Sequence, residues 1–151
     1  MGVAQDIAGR VYPPSPAYEV GREKIREFAT AINSADPVHV DPQAARAAGH
    51  PDVIAPPTFA VLVTQRCEGQ VMTDPAAGID FTRVVHGDQR FVHHRPIRAG
   101  DRLVGTLHVD DVDTRGRHAT VTTRVELTDE TGDAVTTALS RIVVRDGGRP
   151  A

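Results

Sequence analysis

An α+β architecture, one buried helix wrapped by an antiparallel sheet, follows from three observations. The stretch Val53 to Val71 carries the run Phe59-Ala60-Val61-Leu62-Val63, which is apolar on every face. A helix built on it cannot lie on a surface and has to be covered. From Ile79 onward the chain alternates in polarity, as Leu103/Gly105/Leu107/Val109 and Val121/Thr123/Val125/Leu127 show, which is the period of strands with one buried face. Turn formers such as Thr114-Arg115-Gly116 and Asp129 to Asp133 separate these runs, so neighbouring strands are antiparallel and the helix packs on their common face.

Each element has its own signal. Tyr12-Pro13-Pro14-Ser15-Pro16 must be extended, because proline fixes its own backbone and restricts the residue before it; it reads as an arm across the body. Tyr18-Glu19-Val20 can add a short strand. Ile25, Phe28, Ala29 and Ile32 fall at i, i+3, i+4 and i+7, an apolar stripe on a helix over 22–32, with Glu23, Lys24, Arg26 and Glu27 on the solvated side. A turn-rich loop with two prolines follows, then an alanine-rich helix from Pro42 that Gly49 stops. Pro56 and Pro57 open the central helix, whose first turn has no use for their missing N–H groups, and Gly69 marks its frayed end. Strands are expected at 81–85, 89–94, 102–112, 118–128 and 134–144. The whole of 1–151 is expected to form a single domain with its core over 12–144 and a flexible polar tail over 146–151.

Composition narrows the functions. The chain is 40% hydrophobic and 25% charged, with a net charge of −3 and no tryptophan. It therefore lacks both the basic footprint and the aromatic platform of a nucleic-acid binder, and it has no electrostatic attraction to an anionic membrane. Its single cysteine, Cys67, excludes an internal disulfide, fits a reducing compartment and reads as a small buried hydrophobe. No signal peptide and no apolar run of bilayer length is visible, so the expected location is cytoplasmic. The histidines are scattered, and the adjacent pair His93-His94 would point to opposite faces of a strand. No phosphate-cradling glycine loop occurs, so neither a metal nor a cofactor is expected.

The loops carry a more specific likeness. Ala35-Asp36-Pro37-Val38-His39-Val40-Asp41 resembles the N-P-L-H-x-D core of the MaoC-like (R)-specific enoyl hydratases and 3-hydroxyacyl dehydratases. Val84-Val85-His86-Gly87-Asp88-Gln89-Arg90-Phe91 and His94-Arg95-Pro96-Ile97-Arg98-Ala99-Gly100-Asp101 resemble strand openings of the same family. The likeness runs from Tyr12 to Val144 and is nearest to the actinobacterial branch that holds non-catalytic subunits of (3R)-hydroxyacyl-carrier-protein dehydratases. It implies the hot-dog fold, dimers (homodimer, or heterodimer with a catalytic MaoC-like subunit), and an acyl thioester of CoA or of acyl carrier protein as ligand.

The resemblance also implies a reaction, loss of water from a 3-hydroxyacyl thioester or its reverse, and the groups it needs. The family uses a histidine as general acid or base, an aspartate five residues earlier to hold the water, and amides at the head of the central helix to polarise the thioester carbonyl. Here His39 stands at the histidine position, but Ser34 replaces the aspartate, and a hydroxyl can hydrogen-bond a water without serving as its base. Pro56-Pro57 aligns with the family's His-Gly and removes one carbonyl-polarising donor. Thr58 can still offer its N–H, and Asp36 can orient the His39 ring. Asn33, Phe59, His86 and Gly87 complete the residues expected beside substrate. The expected role is a substrate-binding, stabilising subunit with a degenerate site; the alternatives are a free-standing hydratase using His39, or an acyl-thioester-binding protein without turnover.

Overall fold

The computed structural model describes residues 2–145. The tail expected to be flexible, 146–151, lies outside them. In chain order the elements are β1 (Tyr18–Glu19), α1 (Arg22–Ala31), α2 (Pro42–Ala47), α3 (Val61–Thr73), β2 (Val84–His93), β3 (Arg102–Arg115), β4 (His118–Thr128) and β5 (Ala134–Arg145). The strands form one antiparallel sheet in the order β1-β3-β4-β5-β2. β3, β4 and β5 are joined by tight turns, as the alternation predicts. β2 crosses over to pair with β5, which among the described residues leaves its other edge without a strand.

The proline-rich arm lies along β3. Tyr12 N–H donates to the Leu107 carbonyl at 2.9 Å and Ser15 N–H to that of Gly105 at 2.8 Å, so backbone groups on that side of β3 are satisfied. Arg10 and the Tyr12 hydroxyl both donate to Asp74, at 2.8 and 2.7 Å, tying the arm to the end of α3. In α1 the stripe buries Ile25 and Ala29 completely. Asn33 ends that helix in a left-handed conformation, φ 56°, while Ser34 N–H reaches back to the Ala29 carbonyl at 2.8 Å.

α3 lies on the sheet through Val63, Cys67 and Val71, opposite Leu103 and Leu107 of β3, Val121, Val125 and Leu127 of β4, and Ile142 of β5, all buried. The sheet covers one side of the helix, and Gln65 and Arg66 on its other side are exposed. Two expectations need correction. Pro57–Ala60 forms a 3-10 turn and the α-helix proper starts at Val61; it also runs past Gly69 to Thr73, because Gly69 keeps its place in an unbroken hydrogen-bond ladder and Asp74 stops the helix by capping the next turn. The strands expected at 81–85 and 89–94 are one strand, β2, with Phe81–Arg83 forming a 3-10 turn before it. The register shifts between His86 and Asp88, so Gly87 is accommodated as a bulge where a turn was expected.

Candidate functional site

His39 owes its position to a short turn. Asp36 caps the 3-10 turn Pro37–His39 by accepting from Val38 N–H at 3.1 Å, and Pro37 supplies the fixed backbone angle of its first position. Ile54 then stitches this turn to the segment leading into α3: its N–H donates to the Val38 carbonyl at 3.0 Å, and its carbonyl lies 2.6 Å from His39 Nδ1. A carbonyl only accepts, so Nδ1 carries the proton and Nε2 keeps its lone pair. The ring is 7% exposed. The likeness gives ring orientation to Asp36; the geometry gives it to Ile54, because the Asp36 carboxylate is engaged as a cap.

The cleft beside His39 has a volume of about 560 Å³ and is lined by Asp36, Pro57, His93, Arg95 and Ile97, among others. His93 Nε2 lies 2.9 Å from the Pro57 carbonyl and must donate to it, which leaves Nδ1 to accept from the Thr136 hydroxyl at 2.9 Å. Both nitrogens of His93 are thereby occupied, and the ring fixes the turn that opens α3 onto the sheet. Arg95 is also committed. Its guanidinium holds Asp101 at 2.8 and 2.9 Å and reaches Asp129 at 3.2 Å, while Asp101 accepts a further bond from Arg98 N–H at 2.9 Å. Arg95 is a structural clamp here, not a free cation for a phosphate.

The remaining expected residues scatter. Thr58 is exposed in the first turn before α3, where Pro57 has no N–H to give, so the Thr58 amide is the first donor of that turn. Phe59 is fully buried, edge-to-face with Phe28 at 5.4 Å and Tyr18 at 6.5 Å between ring centres; expected beside substrate, it is a core residue with no surface for a ligand. Asn33 and Ser34 close α1 and do not line the cleft. His86 and Gly87 lie on β2, where His86 Nε2 is 2.8 Å from Ser140 Oγ, and His86 borders a different cavity.

Chemically, the cleft offers the Nε2 of a neutral His39 as a nitrogen able to take or return a proton, and His94, whose Nε2 lies 3.0 Å from Thr137 Oγ1, lines the same cleft. Among the described residues no carboxylate contacts the His39 ring, so an activated water has no second holder. Sequence reasoning found His39 and missed His93, whose role depends on Pro57 and Thr136, far away in the chain. It considered Glu68 only as the carboxylate of a thioesterase, a reading it set aside, and not as a buried group. The signal was present: Glu68 shares the inward stripe of α3 with Thr64 and Val71, and a carboxylate at such a position needs partners.

Comparison with known proteins gives these features a family. A profile described as "FAS1-like, dehydratase domain region" matches residues 7–138. A UPF0336 protein of Saccharopolyspora erythraea is 56% identical over 145 residues, covering 96% of this chain and 93% of its own length. A chain in the crystal structure of the C-terminally truncated HadBC (3R-hydroxyacyl-ACP dehydratase) complex from Mycobacterium tuberculosis superposes with a TM-score of 0.82 at 33% identity, covering 91% of this chain and 97% of that one. A MaoC-like dehydratase superposes with a TM-score of 0.87 at 29% identity over 95% of this chain and 43% of that chain, so this chain spans less than half of it. With the curled antiparallel sheet holding α3, and with the match extending over most of its length, the chain belongs to the FAS1-like dehydratase-domain family of MaoC-like hot-dog proteins.

Proposed function

We propose that this chain is a subunit of a (3R)-hydroxyacyl-thioester dehydratase, acting on CoA or acyl-carrier-protein thioesters of fatty acid metabolism and contributing substrate binding and stability beside a partner hot-dog subunit that carries the aspartate and histidine. The observation that carries this reading is the His39 ring: its Nδ1 is held by the Ile54 carbonyl at 2.6 Å, with Ser34 five residues before it and no carboxylate in contact. Among the described residues, an imidazole without a carboxylate partner, at a cleft whose helix head begins with Pro57, retains the shape of the site without its full chemistry. The unpaired edge of β2 offers a strand's worth of open backbone groups, and pairing it with a second hot-dog subunit would continue the sheet. The similar HadBC protein is a complex of (3R)-hydroxyacyl-ACP dehydratase subunits, which supports a heterodimer. A cytoplasmic setting is consistent with the buried, unpaired thiol of Cys67, and no helix among the described residues is long and apolar enough to cross a membrane.

A second reading, a free-standing hydratase, draws support from the Nε2 lone pair of His39, which is free of the Ile54 bond and can act as base. The two separate in one assay. Dehydration of (R)-3-hydroxyacyl-CoA is followed as enoyl absorbance for this chain alone and for its mixture with a MaoC-like subunit from the same source. Activity only in the mixture, insensitive to His39→Ala, is expected of the subunit. Activity of the isolated chain that disappears with His39→Ala would replace the first reading with the second, and silence in both would favour acyl binding without turnover.

A further inference from the structure

A cavity of about 480 Å³ opens at the end of the sheet remote from the His39 cleft; Arg83, Arg117, His118 and Arg145 line it, with Asp80 as the one carboxylate among the described residues. Three separate elements deliver the guanidiniums. Arg83 closes the 3-10 turn before β2. Arg117 stands in the two-residue turn Gly116-Arg117 between β3 and β4, where the strand pairing closes at Arg115 and His118 and Gly116 takes the left-handed conformation, φ 61°, that such a turn favours. Arg145 ends β5 directly opposite His118 of β4. Strand β2 separates the two sites: Val84, at its start, pairs with Val144 of this cavity, and His93, at its end, borders the cleft. Its 10 residues span about 30 Å.

The chain as a whole carries a net charge of −3. This cavity instead sets three guanidiniums against a single carboxylate, an excess of two positive charges with His118 neutral. Asp80 is already engaged, pairing with Arg83 at 3.1 Å and accepting from the Thr82 amide and hydroxyl at 3.0 and 2.6 Å. Among the described residues neither Arg117 nor Arg145 forms an ion pair, whereas Arg115 beside the same turn is held by Asp113 at 2.8 Å. Like charges gathered on neighbouring strands repel, and a concave wall focuses their field on the opening. A phosphate monoester carries about two negative charges at neutral pH, and guanidinium forks match its oxygens bidentately. The far wall is closed by backbone: the Ala4 amide donates to the Ala77 carbonyl at 3.0 Å, and a Cβ on Gly78 would stand 2.7 Å from the Gly2 carbonyl oxygen, so a side chain there would force this wall apart.

We propose that this cavity binds the phosphate or diphosphate group of a small metabolite, held by Arg117 and Arg145 with Arg83 beside them, at a site separate from the His39 cleft. The two sites share no lining residue, so the inference stands apart from the acyl-thioester reading of the function.

The test is calorimetric titration of the purified chain with inorganic phosphate, pyrophosphate and ADP in about 0.15 M salt, where diffuse attraction is screened beyond about 8 Å. At least one of them should bind saturably, one molecule per chain. Arg117→Gln and Arg145→Gln should each weaken that binding about tenfold or more, because hydrogen bonds to a charged group are lost. Both side chains are exposed, so neither change threatens the fold, and unchanged circular dichroism checks this. Arg46→Gln, on α2, should leave the binding as it is. Tighter binding of ADP than of pyrophosphate would assign the phosphates to a nucleotide, and equal binding would assign recognition to the phosphate groups alone; both support the proposal. Absence of saturable binding for all three probes, or binding that both arginine variants leave intact, would overturn it. So would binding of decanoyl-CoA that falls in the same two variants, since the cavity would then belong to the thioester and not to a separate ligand.

Discussion

Replacing Gly105 with alanine should destabilise the chain, and the amount follows from the packing around one atom. Gly105 lies on β3 facing α3: a Cβ added there would stand 2.3 Å from Cys67 Sγ, 3.1 Å from Leu127 Cδ2 and 3.2 Å from Val125 Cγ1. All three neighbours are buried, so none can swing into solvent. Two effects oppose each other. Alanine restricts the unfolded chain, which favours folding by about 0.4–1 kcal/mol, whereas overpacking a closed core costs about 1–3 kcal/mol. A contact as short as that to the sulfur belongs at the upper end, for a net loss of about 2 kcal/mol, or about 4–8 °C in melting temperature for a chain of this size. Urea unfolding followed by circular dichroism measures it. Cys67→Ala removes the sulfur that the new methyl group strikes and by itself should cost about 1 kcal/mol. If the helix–sheet approach is the cause, the double variant loses less than the sum of the single ones by about 1 kcal/mol or more. Strictly additive losses, or a Gly105→Ala protein as stable as its parent, would refute the reasoning.

Three further outcomes follow from particular contacts. Asp101→Ala leaves the Arg98 amide without its acceptor and the Arg95 guanidinium with Asp129 as its one remaining carboxylate, and should cost about 2 kcal/mol in chemical denaturation; a loss below about 0.5 kcal/mol would show the clamp to be solvated. Glu68 has its folded pKa raised by burial, so its contribution to stability is fully present below the unfolded value and declines as pH rises through the folded one. Glu68→Gln should therefore gain stability relative to its parent between mildly acidic and alkaline pH, and a pH-independent difference in melting temperature would count against a buried, titrating carboxyl. Asp52 behaves in the opposite sense: hydrogen bonding to the Arg22 guanidinium, at 2.7 and 2.9 Å, lowers it to about 2. Its stabilisation is present above the unfolded value near 4 and disappears as pH falls toward 2. Asp52→Asn should flatten that part of the acid limb of a melting-temperature profile by a small amount, because the pair is partly exposed.

The sequence by itself determined the class of fold and most of its parts, because these rest on local periodicity. The alternation of Val121/Thr123/Val125/Leu127 and the stripe Ile25/Phe28/Ala29 need no distant residue to be read, and the motif around His39 carried the family. What stayed hidden depends on residues far apart in the chain. A strand and a turn look alike around Gly87 until β5 is laid beside it and the extra residue becomes a bulge. The Ile54 carbonyl, not Asp36, chooses the tautomer of His39 because the segment before α3 folds back over the 3-10 turn. Phe59 looked like a residue at the mouth of a site and became core, since Phe28 and Tyr18 close over it from α1 and β1. The hydrogen bonds of Glu68 to Thr123 and of His86 to Ser140 exist only where α3, β4, β5 and β2 meet, and no single stretch of sequence contains them. Periodicity reports which face of an element is buried; only the tertiary structure decides which polar groups share that face, because hydrogen bonds are set by distances of a few tenths of an ångström between atoms brought together by packing.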